Sequence, residues 1–245
     1  MPRILILGGT TEARQVAEVL LESGFEVITS LAGRTQVTRR LPGQIRVGGF
    51  GGAVGLADYL AQAKIDVVLD ATHPFAAQIS QQAAIATDHY SIPRLMLVRP
   101  AWEPQLGDRW LPVVSWADAV DLLPQIAQRI FLTIGRQELG QFAALQSLWF
   151  LMRVLEPLEL GVLRPPGVVL CDRPPFSFDQ ECYYLHHHSI DTLVTKNSGG
   201  SATAAKLQAA RAQAVQVVMI QRPPLPSGEQ VATPAEALHW LTQQV

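Results

Sequence analysis

Apolar residues in this chain come in short runs, and a polar or glycine-rich corner closes most of them. Residues 3–7 form such a run, which breaks at Gly8-Gly9-Thr10-Thr11. A helical pattern follows, with Ala13, Val16, Ala17, Leu20 and Leu21 on one face and Gly24 as its stop. The run before Asp70 is apolar without alternation, as in a strand covered on both faces, and Pro74 suits the first position of a helix. Strands at 3–7, 25–30, 45–47, 66–71 and 93–98, with helices after 10, at 56–63 and at 75–87, make five βα-type units.

Residues 99–110 carry no period and hold two prolines and a glycine, which predicts a linker. A second series follows. Ser115 and Asp118 match a helix capping pair, strands are expected at 129–134, 148–154, 167–171, 191–195 and 215–220, and helices at 137–145, 177–186, 201–213 and 234–242. The last of these opens Thr233-Pro234-Ala235-Glu236, an N-cap, a proline at the first helical position and a glutamate at the third. The pattern predicts an α/β protein of two Rossmann-like doubly wound domains with mainly parallel sheets and an active-site cleft between them. The domains are expected at 1–110, the last twelve residues being linker, and at 111–245.

Composition narrows the classes. With 245 residues, 48% hydrophobic and 16% charged, the chain can bury a sizeable core. A net charge of −2 with no block of like charges argues against nucleic acid as a partner. Two cysteines make no disulfide framework, so a reducing cytoplasm is expected; no apolar stretch approaches the roughly 20 residues needed to span a bilayer. The first residues are too short for a signal-peptide core and read as a strand. A monomer or weak homo-oligomer is the expected state.

Three corners carry candidate chemistry. Gly8, Gly9, Thr10, Thr11 and Glu12 join a strand to a helix, where glycines admit a phosphate and the helix end presents N–H groups and partial positive charge. The full G-x-G-x-x-G spacing is missing, so a plain βα turn is the competing reading. The turn after the second strand supplies Arg34 and Thr35 and no carboxylate, which suits a ribose 2′-phosphate and favours NADPH over NADH; a solvated surface arginine is the alternative. Gly49 lies in the cluster Gly48-Gly49-Phe50-Gly51-Gly52, which is either a wall of the ligand site or a turn packed for its own sake.

The second corner places Asp70, Thr72 and His73 at the carboxyl end of a buried strand, where open α/β sheets bind ligands. Histidine as a residue type exchanges its proton near neutrality, which makes His73 a candidate proton donor with Asp70 orienting it or acting through water; a buried helix-cap histidine is the other reading. The third corner, Lys196, Asn197, Ser198, Gly199 and Gly200, runs from a strand toward a helix and forms a candidate anion site, unless it is turn chemistry alone. Arg136 and Glu138 occupy a similar strand end. His186-His187-His188 and Cys182 lack metal-site spacing, so no metal is expected. A short-chain dehydrogenase would need a Tyr four residues before a Lys, but Tyr59, Tyr90, Tyr183 and Tyr184 are followed at that spacing by Ala63, Arg94, His187 and His188. A non-catalytic NADP-sensing protein would account for Thr10 and Arg34 but not for Lys196.

Taken in order, these stretches resemble the precorrin-6A reductases of cobalamin biosynthesis: residues 6–14, 31–35, 46–52, Asp70-Ala71-Thr72-His73-Pro74-Phe75-Ala76, 92–95 and Lys196-Asn197-Ser198-Gly199-Gly200. The resemblance implies an NADPH-dependent reduction of one carbon–carbon double bond in a tetrapyrrole bearing many carboxylates, giving precorrin-6B. A related branch acts on the cobalt-containing macrocycle. It implies two Rossmann-like domains, a nicotinamide held by the first, and a polyanionic substrate for which Lys196 is useful.

Overall fold

The computed structural model describes residues 1–33 and 42–244. They form two compact units, Met1–Pro100 with Pro223–Val245 and Ala101–Arg222. In the first, β1 (Arg3–Leu7), β2 (Glu26–Leu31), β3 (Gln44–Val47), β4 (Val67–Asp70) and β5 (Arg94–Leu97) pair in parallel. The second holds β6 (Trp110–Val113), β7 (Arg129–Leu132), β8 (Trp149–Val154), β9 (Gly167–Cys171), β10 (Thr192–Lys196) and β11 (Gln216–Ile220), and β12 (Glu229–Val231) returns to the first.

Helices α1 (Thr11–Glu22), α2 (Gly52–Gln62), α3 (Ala77–Tyr90) and α7 (Pro234–Gln243) flank the first sheet. Alternate side chains of one strand explain why both faces are covered: Ile4 and Ile6 join α1 and α7 in one core, Leu5 and Leu7 join α2 in another. In the second unit α5 (Phe178–His187) and α6 (Ala205–Ala212) pack on Phe131, Leu151, Leu193 and Val217, while α4 (Trp116–Ile126) begins with the expected Ser115–Asp118 capping box.

The sheet orders are β12-β5-β4-β1-β2-β3 and β6-β11-β10-β7-β8-β9, so each is a Rossmann-type order; the first takes its edge strand β12 from beyond the second unit, while the second takes β6 from its own start. The order reverses between β1 and β4 in one unit and between β7 and β10 in the other. This corrects the expected boundary: residues 223–245 do not belong to the second unit, because β12 pairs with β5 and Ala237 and Leu241 of α7 are buried against the α1 face. The expected linker also gives up Trp110 to β6, an edge strand that tolerates Pro112 because one of its sides needs no ladder partner.

Three helix expectations change. The first turn proposed at Pro74 is a separate turn, since the Phe75 N–H donates to His73 Nδ1 at 3.2 Å and that of Ala76 to His73 O at 2.7 Å, and α3 starts only at Ala77. The segment expected as helix 137–145 is a 3₁₀ helix over Arg136–Phe142, with Gly140 within it weakening any α-helix. The helix expected at 201 begins at Ala205.

Candidate functional site

In the first unit the reversal of strand order opens the sheet edge between the ends of β1 and β4, and the sequence corners at 8–12 and 70–73 meet there. Thr10 stitches them: its hydroxyl donates to Ala71 O at 2.7 Å and accepts from the Ala13 N–H at 3.1 Å as the N-cap of α1. Gly9 sits at φ +111 with open space where a Cβ would stand, so the main chain is bare at the helix entrance. Gly8 is closed for a different reason, since its Cβ would come within 2.9 Å of Thr29 Cγ2. Thr11 begins α1 and is exposed, and Glu12 in its first turn pairs with Arg99 at 3.1 Å. That pairing engages the carboxylate of Glu12 with a residue beyond β5.

Asp70 is buried, and its Oδ1 accepts from the Thr72 N–H at 3.1 Å and from the Thr72 hydroxyl at 2.7 Å. The Thr72 and Ser80 hydroxyl oxygens lie 3.4 Å apart. Asp70, Thr72, His73 and Ser80 form the polar side of a cavity of about 10 Å³ whose apolar side includes Met96 and Leu225; that is about the space one water fills. Because His73 Nδ1 accepts from the Phe75 amide, the neutral ring carries its proton on Nε2. This corner thus holds a carboxylate, two hydroxyls and an imidazole around one small polar space.

Gly49 lies beyond β3, two strands from β1. The Arg46 guanidinium donates to Gly48 O at 2.6 Å and to Gly49 O at 2.8 Å, with its plane 3.7 Å over the Phe50 ring. Arg34 and Thr35, the expected 2′-phosphate ligands, lie outside the described residues.

The second unit's reversal lies between β7 and β10, and Lys196 ends β10 at that place. Burial pulls the Lys196 ammonium below its ordinary range while the Glu138 carboxylate, from beyond β7, acts to raise it. Its Nζ stands 5.5 Å from the Trp116 ring. Asn197 plays a different part from the one expected: it is 6% exposed, its Oδ1 accepts from the Trp102 N–H at 2.8 Å and its Nδ2 donates to Trp102 O at 3.1 Å. Trp102 Nε1 donates to Gly200 O at 3.0 Å, and Arg222 donates to Asn197 O at 2.8 Å and to Ser198 O at 3.1 Å. Gly199 and Gly200 at φ +68 and +81 make the consecutive left-handed turn that no other residue enters cheaply. The helix expected to start at 201 is set back from this corner, because Ser201–Ala204 form a turn and α6 follows with no side-chain cap.

Motif reasoning missed Arg46, Arg99, Ser80, Trp102 and Arg222. Arg99 and Arg222 stand just beyond the ends of β5 and β11, so inspecting every parallel strand's carboxyl end would have found both. Among the described residues no group of three or more His, Cys, Asp or Glu side chains is placed to hold a metal ion, and no helix is long and apolar enough to cross a membrane.

Known proteins match this architecture over its full length. The family model for the precorrin-6x reductase CbiJ/CobK matches residues 3–242. Precorrin-6A reductase of Rhodococcus erythropolis is 49% identical over 243 residues, covering 98% of both chains, and that of Rhodobacter capsulatus is 41% identical over 241 residues, covering 98% of this chain and 96% of the relative. Cobalt-precorrin-6A reductase of Priestia megaterium is 26% identical over 258 residues, with 98% of both chains covered. The solved structure of CobK precorrin-6A reductase superposes with a TM-score of 0.93 at 40% identity, covering 100% of this chain and 97% of that one. With residues 3–242 matched by the family model and the fold superposing on a solved member at a TM-score of 0.93, the chain belongs to the precorrin-6x reductase CbiJ/CobK family.

Proposed function

We propose that this protein reduces one carbon–carbon double bond of precorrin-6A to give precorrin-6B in cobalamin biosynthesis, with NADPH as the reductant. The observation that carries the reading is full-length identity of 41–49% to proteins named precorrin-6A reductase. The cobalt-free macrocycle is favoured over the cobalt form because the cobalt-precorrin-6A reductases match at only 24–26%. NADPH is favoured over NADH by the stretch Ala32-Gly33-Arg34-Thr35 after β2, which offers a cation and a hydroxyl but no carboxylate for a free ribose 2′-OH.

The first corner fits a dinucleotide: Gly9 leaves the main chain bare, Gly8 brings α1 close to β2, and α1 points its N-terminal amides at the same space. Gly8, Gly9, Thr10 and Thr11 would hold its phosphates, with Arg34 and Thr35 on the 2′-phosphate. When bound, the nicotinamide supplies the hydride, and the protein supplies alignment and the proton. His73 is the proton donor in this reading, its ring fixed by the Phe75 amide so that Nε2 faces away from the turn. Asp70 holds Thr72, and Thr72 lines the same small polar space as His73. Lys196 takes a substrate carboxylate, with the Gly199 and Gly200 amides offering main-chain donors beside Ser198, whose own N–H donates to Lys196 O at 2.8 Å, while Asn197 sets the loop's shape.

The test is anaerobic incubation of the protein with precorrin-6A and either NADPH or NADH, following nicotinamide absorbance and the mass of the tetrapyrrole. NADPH oxidation with a two-hydrogen mass gain is expected. A bound but unoxidised NADPH would mean a sensor instead of an enzyme, and equal rates with NADH would remove the 2′-phosphate assignment.

A further inference from the structure

Beneath the Lys196 corner lies a group of charges that neither hydride transfer nor the carboxylate contact uses. Arg153 near the end of β8, Glu181 in α5 and Lys206 in the first turn of α6 are 5%, 0% and 5% exposed. Arg153 pairs with Glu181 at 2.9 Å, but Arg153 Nη1 and both Glu181 oxygens have no hydrogen-bond partner among the described residues. The Arg153 guanidinium stands 3.8 Å from the Phe176 ring centroid and 4.9 Å from that of Phe131. Lys206 Nζ stands 5.4 Å from the Trp102 ring, and Trp102 in turn holds Asn197 and Gly200 of the Lys196 loop.

The charges do not balance. The groups whose fields act on Lys206 are Arg153 and Lys196, which repel its proton, and Glu181, which attracts it. Glu181, and Glu138 where it faces Lys196, are thus two carboxylates set against three potential cations, and buried cations short of counter-charge shed protons. Burial, then Arg153, outweigh Glu181 and bring Lys206 down to about 7, so that near neutrality it is poised between its two forms. An anion arriving at the loop supplies the missing negative charge, and proton affinity of a nearby base rises with it.

Resting on the reading that this corner takes a substrate carboxylate, we propose that tetrapyrrole binding is coupled to uptake of one proton from solvent by Lys206. The ammonium so formed sits under Trp102 and ties the state of the anion site to a group that touches neither substrate nor cofactor. Lys206 is in this sense a positioning residue. At pH 8 a group titrating near 7 is about nine-tenths neutral, so uptake there approaches one proton per bound molecule, and at pH 6 it falls toward zero. By linkage, affinity falls by up to about tenfold per pH unit between 7.5 and 9.

The experiment mixes precorrin-6A with the full-length protein and NADP⁺, which cannot react, in weakly buffered solution containing a pH indicator, with binding followed separately by tetrapyrrole absorbance. Uptake at pH 8 that disappears at pH 6 and is absent in Lys206→Met supports the proposal. Binding without uptake overturns it while leaving the proposed function intact, as does uptake that persists in Lys206→Met, which would assign the proton to Lys196. No binding at any pH removes the functional reading and this inference together. Should Lys206→Met fail to fold, the ¹⁵N signal of the Lys206 side chain in the unaltered protein decides: its midpoint must move upward when precorrin-6A saturates the site, and an unmoved midpoint refutes the coupling.

Discussion

The two strand-order reversals solve one physical problem in opposite ways. At the first, α1 starts at Thr11 directly behind Gly8 and Gly9, and the carboxylates beside the helix entrance are already engaged, Glu12 by Arg99 and the buried Asp70 by Thr72. Its attraction for an anion rests on main-chain dipoles, which are fixed in place and need no counter-ion. At the second, α6 starts only at Ala205, the loop 196–200 is built by Trp102 and Arg222, and the attraction rests on formal charges, Lys196 and the group beneath it. Main-chain donors suit a cofactor bound in one pose. Full charges suit a polyanion, but they burden the unit with desolvation that it must offset elsewhere.

That burden gives the largest expected effect. Glu181→Ala leaves Arg153 without its partner in a dry site and should lower the stability of the second unit by about 3–5 kcal/mol in urea unfolding. Replacing both partners, Arg153→Met with Glu181→Leu, should cost far less, since the desolvation disappears along with the attraction. Equal losses in both variants would mean that the pair is a packing element and would erase the contrast between the corners. The next effect belongs to the first corner. His73→Ala should lower kcat for tetrapyrrole reduction by about 100-fold, the lower end of the range for a positioned acid, and leave KM for NADPH unchanged. An unchanged kcat would retire the proton assignment.

Much of the fold was legible because parallel strands covered on both faces show as apolar runs, and β1, β4 and β10 stand within a residue or two of their expected places. What was hidden lacked that signal. β6 carries a proline and β12 is Glu229-Gln230-Val231, short and polar because each is an edge strand with half its surroundings missing. The return of β12 to the first sheet, across the whole second unit, is a long-range choice that no local pattern encodes. At the sites, Gly8, Thr10, Asp70, His73 and Lys196 were visible because their chemistry sits in the loop that holds them. Arg153, Glu181 and Lys206 were not, as they come from three separate elements and each resembles an ordinary surface charge until the sheet brings them together. Asn197 was visible, but its role was misjudged, for Trp102 lies 95 residues away.

Asn197 gives a prediction of intermediate size. Asn197→Ala strips the partners from both the Trp102 N–H and its carbonyl, at about 1–3 kcal/mol for each buried group left unpaired. If the loop's shape is what presents Lys196, KM for the tetrapyrrole rises with it and KM for NADPH stays where it was. A rise in both would mean that the two corners do not serve separate ligands.

The smallest effect tests whether the first unit includes the chain's last segment. Thr233 and Glu236 close a capping box at the start of α7, as Ser115 and Asp118 do for α4 in the second unit, so the two helices offer matched truncations. Thr233→Ala should cost about 1 kcal/mol, and so should Ser115→Ala. The location of the loss separates them: Ala237 and Leu241 of α7 are buried beside Ala13 and Val16, so Thr233→Ala should speed amide hydrogen exchange in β1 and α1 and leave β10 and β11 alone, with Ser115→Ala doing the reverse. Acid provides a second check. The Ala232 N–H, the Thr233 hydroxyl and the Thr233 N–H hold the Glu236 carboxyl below its ordinary range. A depressed carboxyl stabilises the fold fully above its unfolded value near 4.5 and loses that contribution as pH falls through the folded value. The stability difference between the unaltered protein and Glu236→Gln should therefore be present at neutral pH and vanish in acid. If it instead persists below the folded value, or if exchange quickens in β10 when Thr233 is truncated, α7 does not stabilise the unit that its apolar face contacts.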